Sequence, residues 1–149
     1  MASKLSLFIK RFRVNRGFSV HSPFAFRFIR LVVRENLHYY DFDTITDPYD
    51  RLLYRTAVFF NPATIAAMGS DAAHALEIIR RALPSAKVVD PDAAEFLYSD
   101  IPHPAVPIQF LRGKHSLPSA TTFSLPSATI AVFRSGIPPA DYPLSLRKW

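Results

Sequence analysis

Thr64-Ile65-Ala66-Ala67-Met68, Gly69-Ser70-Asp71, Ala72 to Leu83 and Lys87-Val88-Val89-Asp90 read in succession as strand, tight turn, helix and strand. The first and last are short apolar runs without alternation, the pattern of parallel strands whose two faces are both covered by helices. Between them, Ala72, Ala75, Leu76, Ile79 and Leu83 fall on one helical stripe, with Glu77, Arg80 and Arg81 on the other side. Asp71 is placed to cap that helix, and Pro84-Ser85 ends it. The stretch therefore predicts one βαβ unit. In a sheet of this kind a ligand sits at the turn after the first strand, and an acid at the end of the next strand reaches its ribose. Gly69 and Asp90 hold those two places.

Working outward, Ser3 to Phe12 predicts a short helix with Leu5, Phe8, Ile9 and Phe12 on one face, ended by Asn15-Arg16-Gly17. Ser22-Pro23 starts a second, because Ser caps free amides and Pro at the first helical position loses nothing. Phe24, Phe28, Leu31 and Val32 share one side of it, and so much aromatic surface must pack against something. Asp41 to Tyr49 is a polar connector. Arg51 to Phe60 predicts a third helix, entering the central strand through Asn61-Pro62.

A chain of 149 residues, 49% hydrophobic and 13% aromatic, carries material for one core. One domain over 1–149 is expected, with a helical segment at 1–60 and a βα core with a Pro-rich tail at 61–149. With no cysteine, disulfides and thiolate metal sites are excluded. Leu5 to Ile9 is too short for a signal-peptide core and no run approaches membrane-spanning length, so a cytoplasmic protein is expected. Charge is uneven. Eight of the 18 basic residues lie in the first 34 positions with no acid among them, against 10 basic and 12 acidic residues in the remainder. Such a segment, with Lys10, Arg11, Arg13 and Arg16, offers a face to nucleic acid or an anionic lipid surface, or is a solvated face packed on the domain.

Arg16-Gly17-Phe18-Ser19-Val20-His21-Ser22-Pro23-Phe24-Ala25-Phe26 resembles the N-terminal signature of a group of bacterial class I S-adenosylmethionine-dependent methyltransferases, in which a His-Ser-Pro-Phe tetrad precedes a helix. Leu52-Leu53-Tyr54-Arg55 and Phe59-Phe60-Asn61-Pro62 continue the similarity, which covers residues 16 to 90. The resemblance implies an α/β fold: a Rossmann-like methyltransferase sheet preceded by N-terminal helices, with strand order 3-2-1-4-5-7-6 in the complete fold. It implies S-adenosylmethionine as cofactor, with Gly69 and Ser70 near the methionine part and Asp90 on the ribose.

The chain departs from that pattern where the cofactor would sit. Ala67 stands in place of an acid two positions before the first glycine, and Asp71 and Ala73 stand in place of further glycines. Glycine lets the backbone approach a ligand, which a side chain obstructs, and Asp71 sets a carboxylate where the ligand's own would be welcomed. Weak or absent cofactor binding is expected, with a protein degenerate in function whose catalytic residues are unknown. The other reading is a non-catalytic binding or assembly module using the basic, aromatic N-terminal segment, with Gly69 a turn residue and Asp90 a solvated strand end.

Ile108 to Leu111 predicts the third strand and Thr129 to Phe133 the fourth, followed by Arg134-Ser135-Gly136 where many relatives carry an aspartate. Ser116 to Thr121 recurs as Ser124 to Thr129, and Pro102, Pro104 and Pro107 make 101–107 an extended connector. A sheet of about four parallel strands in the order 3-2-1-4 is expected, incomplete relative to the family. That order leaves Thr129 to Phe133 unpaired on one side, and self-association to a homo-oligomer through this edge follows. His21 reads as a helix-entry residue, and His74, His103 and His115 lack ligand spacing, so no metal is expected. Ser70 and His74 lack the surroundings of a nucleophile and its base.

Overall fold

A computed structural model of the chain describes residues 4–15, 22–34, 40–134 and 137–146. His21, with the Arg16-Gly17 start of the signature, and the positions 135–136 and 147–149 lie outside them. Among the described residues there are four α-helices and one seven-stranded sheet. The helices are α1 (Lys4–Asn15), α2 (Pro23–Phe28), α3 (Pro48–Phe60) and α4 (Ala72–Ala82). The strands are β1 (Thr64–Ala67), β2 (Lys87–Val88), β3 (Phe96–Ser99), β4 (Ile108–Arg112), β5 (Thr121–Ser124), β6 (Ala128–Val132) and β7 (Ala140–Pro143).

The helix starts follow their sequence signals. Ser22 Oγ accepts from the Ala25 amide at 3.3 Å with Pro23 at the first helical position, so α2 begins where expected. A π-turn, Ile29–Val33, extends it, and the buried Arg55 donates from Nε to the Val32 carbonyl at 2.6 Å. Asp47 caps α3 through the amides of Tyr49 and Asp50, and Asn61 closes it in the left-handed region at φ 47°. The 41–49 connector is not merely polar filler. It holds a 3₁₀ turn, Tyr40–Asp43, and the Asp41 carboxylate takes the Tyr54 hydroxyl and the Arg81 guanidinium, each at 2.9 Å. These two donors hold Asp41 below the usual carboxylate range, Arg81 first.

The βαβ unit forms as read: β1 and β2 pair in parallel around α4. The rest of the sheet corrects the expectation of about four parallel strands in the order 3-2-1-4. The order is β2-β1-β3-β4-β6-β5-β7, and β3, β5 and β7 are additional to the four runs read as strands. Pairings are parallel from β2 through β4, antiparallel on both sides of β6, and parallel between β5 and β7. Only β6 runs against the rest. It is therefore no edge: Ala128–Val132 is fully buried and hydrogen-bonded to β4 on one side and β5 on the other. The apolar run that suggested an exposed edge is apolar because it is central.

A second correction concerns layering. Ile65, Phe96, Tyr98, Ile108, Phe110, Ile130 and Phe123 meet Phe28, Leu52, Leu53, Ile78 and Ile79 in one core, so all four helices cover the same face. The opposite face presents Ala66 and Leu97 under Ala94 and Val106, and Leu111 and Ala131 under Ala120. These are loop residues, not helices. Gln109, wholly buried there, holds the Pro-rich connector by accepting from the His103 amide and donating to the carbonyls of His103 and Val106.

Candidate functional site

The chain leaves β1 for β2 on one side, while β3 lies on the other, so the strand order reverses between β1 and β3. Outside the carboxyl ends of strands at such a reversal an open α/β sheet binds ligands. Gly69 follows β1 at φ +99°, a region that L side chains rarely adopt. Asp100 follows β3, and its carboxylate presses against Gly69: a Cβ built at position 69 would lie 2.3 Å from Asp100 Oδ2. The Ser70 amide points at the same oxygen, 3.4 Å away. Asp100 thus fills the space that Gly69 opens.

Asp90 stands exposed at the end of β2, the strand next to β1, and does not cap the 3₁₀ turn Pro91–Ala93 that it precedes. Gly69, Ser70 and Asp90 therefore close neighbouring strand ends, as expected. The far neighbour of β1 is β3 and not β6, the strand read as fourth, and β3 is followed by the acid Asp100. Its signal lay in Phe96-Leu97-Tyr98-Ser99-Asp100, a short apolar run ending in an acid, as Lys87 to Asp90 does.

Beside this crevice a cavity of about 300 Å³ opens between the first turns of α3 and α4 and the ends of β3 and β4. Asp71 lines it. Its carboxylate makes no cap to α4, contrary to expectation, but takes Arg112 Nη1 at 2.6 Å. Arg112 also donates to the Tyr98 hydroxyl at 3.3 Å, and burial raises the Tyr98 pKa despite that cation. His74 faces Asp50 across the helix pair at 2.7 Å, which raises the His74 pKa. The Tyr49 hydroxyl accepts from the Ser127 amide at 3.2 Å. The polar groups of the cavity are thus satisfied largely by one another.

The His74 imidazole is bound to Asp50, and the Ser70 amide to Asp100. The other two described histidines lie apart, His103 on Asp92 at 2.7 Å and His115 on the Arg112 carbonyl at 2.7 Å. Among the described residues no three His, Asp or Glu side chains are grouped to hold a metal ion. No described helix is long and apolar enough to cross a membrane. On the N-terminal face, Lys4 and Lys10 are exposed, but Arg11 turns inward and donates to the Leu144 carbonyl at 2.8 Å. It is removed from the expected anion-binding set. Comparisons of the chain with family models, curated proteins and solved structures give no match.

Proposed function

We propose that this protein is an S-adenosylmethionine-dependent methyltransferase-like domain with weak or no catalysis. Two features support the lineage. The Ser22-Pro23-Phe24 helix entry is part of the resembling signature, and the order β2-β1-β3-β4-β6-β5-β7 reads as 2-1-4-5-7-6 with one outer strand of the family order lacking and β7 added beyond the other end. The single observation that carries the loss of function is the Asp100 carboxylate packed on Gly69. The methionine part of the cofactor needs the turn amides and open space at that glycine, and both face Asp100. With Ala67 in place of an acid, the residues present do not fit the cofactor, and no methyl-transfer step is derived. One lost charged hydrogen bond costs about 1.5–3 kcal/mol, or roughly one to two decades in affinity.

Calorimetric titration with S-adenosylmethionine and S-adenosylhomocysteine is the test. Expected is binding weaker than low-micromolar or none; low-micromolar binding that Asp90→Ala abolishes would establish a working cofactor site.

A second reading, a binding module built on the N-terminal helices, is favoured by α2, where Phe26 is 44% exposed and Arg27 and Arg30 face solvent. Its ligand binding would be indifferent to Asp90→Ala. Self-association, if mediated by a sheet edge, moves to β2, whose Val88 is 48% exposed. A cytoplasmic location belongs to the same proposal.

A further inference from the structure

At the end of the sheet away from Gly69, a groove of about 310 Å³ lies between α2, the last turn of α3 and the residues after β6. Pro23, Phe24, Arg27, Phe59, Phe60 and Arg134 line it. The three phenylalanine rings are half-buried and adjoin one another at inclined angles, with centroids 5.0 Å apart and planes at 88° for Phe59 and Phe60, 6.1 Å and 42° for Phe24 and Phe60, and 6.3 Å and 57° for Phe24 and Phe59. Two exposed guanidinium groups flank these rings: Arg27 lies 5.7 Å from the Phe59 centroid and Arg134 5.6 Å from that of Phe24. A guanidinium stacked on a ring keeps hydrogen-bond donors at its edge for an anion.

Among the described residues the charge lining the groove has one sign: Arg27 and Arg134 are cationic and no described lining side chain is acidic. The first 34 residues contain no acid, and α3 has none from Arg51 to Phe60. A guanidinium beside an apolar wall is less screened than one in open water, so an anion at its edge is attracted more strongly. The aromatic wall selects what carries the anion, since planar rings stack on phenylalanine and arginine with little regard to substituents. The volume stands at the low end for small-molecule sites, which suits one nucleotide and not a polymer.

We propose that this groove binds a small planar aromatic anion of the nucleotide class, its ring against Phe24, Phe59 and Phe60 and its negative group between Arg27 and Arg134. The proposal rests on the binding-module reading and gives it a ligand.

The full chain is titrated at low salt, in separate calorimetric experiments, with adenosine 5′-monophosphate, adenosine and inorganic phosphate. The monophosphate should bind at least about tenfold more tightly than either fragment, and Arg27→Ala or Arg134→Ala should each weaken it by about tenfold or more. Arg80→Ala, an exposed arginine on α4 outside the groove, should leave the affinity unchanged. Equal binding of inorganic phosphate would make the rings idle, and equal binding of adenosine would make the arginines idle; either overturns the proposal, as does no binding of the monophosphate. A single-stranded oligonucleotide bound equally by wild type and Arg134→Ala would keep the module reading and overturn the groove alone.

Discussion

Gly69 and Asp100 interlock: the backbone of one, at φ +99°, leaves the space that the carboxylate of the other occupies. Gly69→Ala therefore meets two costs, the left-handed backbone and the collision with Oδ2. Denaturant unfolding should show a loss of about 1–3 kcal/mol. In the double variant Gly69→Ala, Asp100→Gly the collision is gone and part of the loss should return. An unaltered midpoint in the single variant would mean that the turn is not built as described.

Ser22→Ala should lower stability by about 0.5–2 kcal/mol, since the hydroxyl holds the Ala25 amide at the start of α2. Affinity for any ligand should stay the same. A variant that melts like wild type yet loses binding would give Ser22 a functional role instead.

His74 titrates with Asp50 beside it. Its pKa in the folded chain is raised, chiefly by the hydrogen bond to Asp50 and then by that carboxylate's charge. The pair's stabilisation is thus fully present below the unfolded histidine value of about 6.5 and is lost as pH rises through the higher folded value. The His74 side chain is 57% exposed, so solvent screens the pair and the effect is small. NMR titration of the His74 ring should give a midpoint above that of a free histidine, and Asp50→Asn should return it; a midpoint indifferent to Asp50→Asn would refute the pairing.

Val132→Lys places an ammonium in β6 at a site only 1% exposed, between β4 and β5. The loss should be on the order of 4 kcal/mol or more. A well-folded variant whose sole change is a smaller particle in light scattering would restore the discarded edge.

How far the sequence speaks can be judged from particular strands. The β1–α4–β2 unit was legible because its punctuation is local: Gly69 for the turn, Pro84 for the stop, an apolar stripe between. β3 was missed because four residues between Glu95 and Asp100 are too few for a period, and a short apolar run resembles any buried segment. The two copies of the repeat, Ser116 to Thr121 and Ser124 to Thr129, fold differently: the first is loop up to the opening residue of β5, and the second carries the turn from the end of β5 into β6. β7 was discounted because prolines surround it; edge position makes them tolerable, and only Pro143 falls within the strand. The positions of Gly69, Ser70 and Asp90 after β1 and β2 were legible from the βαβ pattern, but those of Asp100 and Arg112 depend on strand order, which no periodicity encodes.

Arg11 and Leu144 are joined by a hydrogen bond that spans 133 positions, and α1 packs on β7. Leu144 is thus synthesised 133 positions after the residue of α1 that it holds. α1 must wait, undocked, while the whole sheet is translated, since closing so long a loop precedes any reward from the contact. Its Leu5 and Ile9, still 68% and 49% exposed after docking, are then open to whatever apolar surface is nearby. A nascent chain should engage holding chaperones through α1 for as long as β7 is missing.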